Sequence, residues 1–152
     1  MDKFVMIIFG ASGDLTKRKL MPALYSLYRD KRLKGEFSVM GVGRTVYSDT
    51  DYRAYIYTEL EQFVKPEEQD KELMDNFTQH LYYLAIDPAI EAGYVRLRQR
   101  IEELTGEKEP DNLLFYLATP PSLYGVIPFH LKKAYFFFLM IRRPPRSTLF
   151  PY

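Results

Sequence analysis

Gly10 and Gly13 stand directly after the apolar run Phe4–Phe9 and just ahead of the basic triplet Lys17-Arg18-Lys19. Glycines at a strand exit let backbone N–H groups approach a ligand with no side chain between them. The positive end of the helix that follows attracts an anion. Cations in the first turn of that helix oppose its dipole at a cost of a few tenths of a kcal/mol each, so a bound polyanion explains them better than helix stability does. Solvated surface charge is the plain alternative. The chemistry on offer is phosphate binding, in the strand–turn–helix unit of a dinucleotide-binding half-domain. The glycine spacing alone is common in turns, and Thr16 stands where the third glycine of the usual fingerprint falls.

A second cation sits at the end of the next apolar stretch. Phe37–Gly43 reads as a strand and ends Gly41-Val42-Gly43-Arg44, with no acid before Asp49. In a dinucleotide fold, a carboxylate at this place selects NAD through the ribose hydroxyls, whereas an arginine accommodates the 2′-phosphate of NADP. A guanidinium grips phosphate with parallel charge-assisted hydrogen bonds. Arg44 therefore favours NADP over the alternative of an ordinary loop arginine.

The elements that must position these groups follow from periodicity. Strands are expected near 4–9, 37–43, 81–86 and 112–118, separated by helical patterns. Pro22 argues against one unbroken helix after the glycines, so a short helical turn near Asp14–Arg18 and a main helix from about Leu20 are expected, with Gly35 near the exit. Ser48 and Asp51 can cap a helix over Asp49–Glu61 that turns Tyr52, Tyr55, Ile56, Leu60 and Phe63 inward. Further helices are expected over Pro66–Phe77 and about Ala89–Thr105, the latter with a stripe of Tyr94, Leu97, Ile101 and Leu104, and Gly106 follows in the exit loop. Asp87 ahead of Pro88 can cap a helix. The fold class is α/β, a doubly wound, three-layer parallel sheet of four strands in the order 3-2-1-4.

FGASGDLTKRKLMPALYSLY resembles the N-terminal signature of the glucose-6-phosphate dehydrogenases, G-A-S-G-D-L-A-x-R-K-L, with Thr16 in place of alanine. The G-x-G-R at Arg44 agrees, and FYLATPPSLYGVI matches the family's F-Y-x-A-x-P-P-x-x-[YF]-x-x-[IV]. The resemblance implies a Rossmann-like domain and NADP-dependent oxidation of glucose 6-phosphate to its 6-phospho-lactone, the entry step of the oxidative pentose phosphate pathway. It implies cofactor contacts at Gly10, Ala11, Ser12, Gly13, Asp14, Leu15, Thr16, Lys17, Arg44, Ile86, Asp87 and Tyr124. Pro120 and Pro121 would lie beside the nicotinamide, in cis or trans, and Lys19 would point towards the sugar phosphate. A homo-oligomer in the cytoplasm is implied too.

Composition sets limits. The 152 residues are 47% hydrophobic, enough for one domain with a core. The absence of cysteine excludes a disulfide scaffold, a Cys-ligated zinc site and a thiol nucleophile. Neither a signal-peptide layout nor a membrane-length apolar run is present. Outside 135–152, which holds three arginines and no acid, 18 basic residues face 20 acidic ones. That balance suits a phosphorylated small molecule better than a nucleic acid.

The resemblance covers Lys3 to Lys133, giving a nucleotide-binding domain over 1–133. Residues 134–152, AYFFFLMIRRPPRSTLFPY, do not resemble the family. They read as non-native or disordered sequence, or as a segment whose Phe136–Ile141 run covers the edge of the fourth strand. The family's E-K-P strand, its R-I-D-H-Y-L-G-K-E motif with the histidine base, and its substrate domain are absent from this sequence, so no general base is in place and the chain alone is expected to be inactive. His80 and His130 read as helix or loop ends. Two other readings stay open: a non-catalytic NADP-binding module, and a different NAD(P)-dependent reductase. The short-chain type of the latter needs Tyr-x-x-x-Lys, which none of the 13 tyrosines provides.

Overall fold

In the computed structural model, the described residues are 4–33, 36–107 and 112–134, with 139–142 described as backbone. Gly35 and the tail from 143 onward lie outside them. The chain runs β1 (Phe4–Phe9), a π-helical stretch (Thr16–Leu20), α1 (Met21–Arg29), β2 (Phe37–Gly43) and α2 (Asp49–Phe63). It continues through α3 (Lys71–Thr78), β3 (Leu81–Ala85), α4 (Glu91–Thr105), β4 (Leu113–Leu117), α5 (Val126–Lys133) and β5 (Leu139–Arg142). All neighbouring strands are parallel, in the order β3-β2-β1-β4-β5. The expected 3-2-1-4 core is thus present, and a fifth strand pairs with β4, on the edge that one of the two readings of the tail had the Phe136–Ile141 run cover. The helix α5 supplies the crossover that a parallel β4–β5 pair requires.

Alternation along β1 divides the core in two. Met6 and Ile8 pack under α1, α2 and α3 with Tyr25, Ile56 and Phe77, while Val5, Ile7 and Phe9 face α4 and α5 with Leu97, Ile101 and Ile127. Burial on both faces is what makes β1 read as a continuous apolar run.

Three local expectations change. The helix after the glycines is not broken before Pro22: it enters at Asp14 and widens to π-geometry over Thr16–Leu20, with the Met21 N–H bonded to the Thr16 carbonyl. In α-geometry the Pro22 ring would meet the carbonyl four residues back, and the wider turn relieves that contact. The helix expected over Pro66–Phe77 is a 3₁₀ turn, Pro66–Glu68, followed by α3. Asp70 forces the restart, because its carboxylate accepts from the Glu72 and Leu73 N–H groups as an N-cap. Asp87 caps no helix: it accepts from the Ala89 N–H at 2.9 Å, and α4 begins later, at Glu91.

The outer edge of β3 is closed by side chains. Asp49 accepts the Tyr83 N–H at 2.8 Å, Arg53 donates to the Leu81 carbonyl at 2.8 Å, and Arg96 donates to the Ala85 carbonyl at 2.9 Å. These contacts occupy backbone groups that would otherwise template another strand.

Candidate functional site

The carboxyl ends of β1, β2, β3 and β4 meet at one rim, with the switch in strand order beside β1. This is where doubly wound sheets bind ligands. Gly10 leaves β1 with φ +90°, and a Cβ there would lie 2.3 Å from the Ala118 carbonyl oxygen at the end of β4. Only glycine fits that turn. The Gly10 and Ala11 amides donate to the Val42 carbonyl, and Gly13 donates back to Gly10. What the turn keeps for a ligand is the Ser12 amide and those of the first helical turn at Asp14 and Leu15, which have no carbonyl inside the helix to bond.

Thr16 is more than a small replacement. Buried under the turn, its hydroxyl donates to the Gly10 carbonyl at 2.8 Å, tying helix to turn. Ala11 and Leu15 are buried, whereas Ser12 and Gly13 are half-buried and Asp14 is exposed. Lys17 and Arg18 each lie 3.6 Å from an Asp14 carboxylate oxygen, and Arg18 also sits over the Phe63 ring. Lys17 is the more enclosed of the two and remains beside the turn, and Lys19 is exposed.

On the neighbouring strand tips, Arg44 is 70% exposed and its Nη2 lies 3.6 Å from Oδ1 of Asp87. Two residues read separately from the sequence are therefore one ion pair. Ile86 offers no side chain to a ligand: it is buried against Gly93, and its N–H bonds the Gly43 carbonyl. Tyr124 closes the 3₁₀ turn Pro121–Leu123 after β4, with its N–H on the Pro121 carbonyl. No peptide bond among the described residues is cis, so Pro120 and Pro121 are both trans.

Tyr52 and Tyr55 were expected to face inward, but the contacts their hydroxyls make with the glycine turn escaped the sequence. Tyr52 donates to the Ala11 carbonyl at 2.9 Å, Tyr55 reaches the Ser12 carbonyl at 3.4 Å, and Tyr83 donates to the Thr45 carbonyl. The rings of Tyr52 and Tyr83 are 4.7 Å apart, and Tyr47 packs on both Tyr55 and Tyr83. Gly41 makes the approach possible, since a Cβ there would lie 2.8 Å from the Ala11 Cβ and 3.0 Å from the Tyr52 ring. Burial pushes the Tyr55 and Tyr83 hydroxyls up to about 12, and Tyr52 well above its ordinary value, so all three stay protonated donors. The available signal was tyrosine, rather than phenylalanine or leucine, at inward positions of α2. At the end of β4 the buried Thr119 hydroxyl has no partner among the described residues.

These parts fit a dinucleotide: glycine-bared backbone at a helix start, a lysine beside it, an arginine one strand away, and an unsatisfied hydroxyl on the opposite side. Comparison with known proteins agrees. A family profile described as "Glucose-6-phosphate dehydrogenase, NAD binding domain" matches residues 7–143. The glucose-6-phosphate 1-dehydrogenase of Aggregatibacter actinomycetemcomitans is 48% identical over 124 residues, covering 81% of this chain and 24% of that protein. Its Bacillus subtilis counterpart is 38% identical over 132 residues, 86% of this chain and 26% of that protein. A solved structure described as glucose-6-phosphate dehydrogenase in complex with its substrate glucose-6-phosphate superposes with a TM-score of 0.80 at 34% identity, over 96% of this chain and 31% of that one. The chain spans about a quarter of the length of these curated relatives. With the family's profile matched from within β1 to beyond β5, the chain belongs to the glucose-6-phosphate dehydrogenase family of oxidoreductases, through its nucleotide-binding domain.

Proposed function

We propose that this chain is the NADP-binding part of a glucose-6-phosphate dehydrogenase, the enzyme that oxidises D-glucose 6-phosphate to 6-phospho-D-glucono-1,5-lactone. The observation that carries the reading is the Gly10 turn, closed so tightly on Ala118 that no side chain fits at Gly10, with Arg44 on the next strand tip. The Ser12 amide, the first helical turn and Lys17 would hold the diphosphate, and Arg44 the 2′-phosphate. Tyr124 and the Thr119 hydroxyl stand on the β4 side, where the nicotinamide end would lie. When bound, the nucleotide supplies the hydride acceptor for the sugar C1 hydrogen.

The second half of that reaction needs a base for the C1 hydroxyl proton. His80 stacks on Phe37 at 4.1 Å and His130 on Tyr94 at 4.9 Å, and these are the chain's two histidines. Both are occupied by packing, which supports a division of labour: this part binds nucleotide, while the base and most of the sugar site belong to the remaining length of the family's proteins. Lys19, exposed on the π-helical stretch, is the residue assigned to the sugar phosphate.

The test is a titration of the chain with NADP and NAD, following backbone amide resonances of residues 10–17. NADP should shift them. Arg44→Ala removes charge-assisted hydrogen bonds worth about 1.5–3 kcal/mol, so preference for NADP over NAD should fall roughly ten- to a hundredfold. Unmoved glycine-turn amides at saturating nucleotide would end the proposal.

A further inference from the structure

The rim carries both chemistries that dinucleotide folds use to tell their ligands apart. An arginine at the tip of the second strand suits a 2′-phosphate, and a carboxylate suits free ribose hydroxyls. Here the arginine is on β2 and the carboxylate comes from the tip of β3. Gly43 pairs with Ala85 in the sheet, and the Ile86 N–H extends that pairing to the Gly43 carbonyl at 2.9 Å. Arg44 and Asp87 consequently leave adjacent strands side by side.

The carboxylate is not free to swing away. Its Oδ1 accepts the Ala89 N–H at 2.9 Å, the turn is closed by the Ile90 N–H on the Asp87 carbonyl at 3.0 Å, and Pro88 fixes the backbone between. In this setting the same oxygen lies 3.6 Å from Arg44 Nη2, with both side chains open to solvent at 70% and 39%. A phosphate binding Arg44 must displace this carboxylate or share the guanidinium with it. Sharing sets a doubly charged anion beside a negative group, while free ribose hydroxyls meet an acceptor instead.

We propose that Asp87 is a specificity-determining residue: by competing with the 2′-phosphate for Arg44, it lowers the preference for NADP and keeps NAD in use. The inference rests on the reading of Arg44 as the 2′-phosphate ligand. It goes further in assigning the opposing charge, and in making the site one of mixed rather than strict nucleotide choice.

The experiment is isothermal titration of the whole chain with NADP and with NAD, for wild type, Asp87→Asn, Arg44→Ala and the double variant. Asparagine keeps an oxygen for the Ala89 N–H, so the turn is retained, and circular dichroism checks it. Asp87→Asn should raise the NADP-to-NAD affinity ratio about threefold to tenfold at low ionic strength, and less at high salt, as for a partly solvated charge. In the Arg44→Ala background the same change should move the ratio far less, because the contested cation is gone. A ratio unchanged or lowered by Asp87→Asn, while Arg44→Ala still lowers it, overturns the role of Asp87 and leaves the Arg44 assignment standing. Equal effects in both backgrounds overturn competition through Arg44. A wild-type chain that binds neither nucleotide overturns both readings.

Discussion

Removing a single hydroxyl, Tyr52→Phe, tests whether the glycine turn is held from behind. The Tyr52 ring is fully buried and its hydroxyl donates to the Ala11 carbonyl at 2.9 Å. Phenylalanine keeps the ring against Tyr83 and Gly41 but leaves the Ala11 carbonyl without this donor. A buried acceptor stripped of its partner costs about 1–3 kcal/mol, offset in part by no longer burying the hydroxyl. A net loss of about 1–2 kcal/mol is expected, or roughly 3–6 °C in Tm for a chain of this size. Tyr55→Phe is the control: its contact with the Ser12 carbonyl is long, at 3.4 Å, and its side chain is partly exposed, so its loss should stay under about 0.5 kcal/mol. Urea unfolding reads both, with a lower midpoint and an unchanged slope for Tyr52→Phe. Amide resonances of Ala11 to Gly13 should move in that variant. If the two variants were equally stable and the turn resonances coincided with wild type, the Tyr52 hydroxyl would not tether the turn.

Two other outcomes follow from the same rim. Gly10→Ala combines a left-handed φ of +90° with a Cβ 2.3 Å from backbone oxygen, so it should cost about 3 kcal/mol or more in urea unfolding and remove nucleotide binding, whereas Gly125→Ala, with nothing within 4 Å, should change stability by less than about 1 kcal/mol. The raised tyrosines set the alkaline limit. Because Tyr55 and Tyr83 are pushed up to about 12 in the fold, the unfolded chain releases their protons first, so their contribution is full below pH 10 and lost as pH rises towards 12. Unfolding followed at alkaline pH should coincide with the loss of the Tyr55 and Tyr83 hydroxyl protons, read from the ring resonances of those two residues, and phenolate at either of them on an intact fold near pH 10 would contradict the burial assigned to these rings.

What could be read from the sequence was whatever a few neighbouring residues decide. The run Phe4–Phe9, the glycines after it and the stripe on α4 depend on local period and turn chemistry, and the sheet order follows once four strands alternate with helices. Helix boundaries suffered where two local rules competed. At Pro22 the choice between breaking and widening the helix is made by packing of Leu24 and Tyr25 into the core, which favours keeping the helix whole. At Asp70 a good N-cap overrode the start offered by Pro66. The strand at Leu139–Arg142 was legible only as one of two readings of the tail: the apolar run Phe136–Ile141 marks a segment able to cover the edge of β4, but its unlikeness to the family spoke for non-native sequence.

The site shows the same division more sharply. Glycine and arginine announce themselves through spacing, yet the groups that aim them come from elsewhere in the chain: Tyr52 lies 41 residues from Ala11, and Tyr83 lies 38 from Thr45. Asp87 was named from the sequence, but its pairing with Arg44 escaped for a related reason. Searching the end of one strand for an acid assumes that each strand tip supplies its own charge, whereas a parallel sheet sets neighbouring tips within reach of one another. Arg44 and Asp87 leave adjacent strands as one ion pair, so an anion approaching Arg44 meets the charge of the pair and not of Arg44 alone. On the proposed assignment of Arg44 to the 2′-phosphate, a nucleotide preference read from either residue by itself overstates the selectivity that the pair's net charge can support.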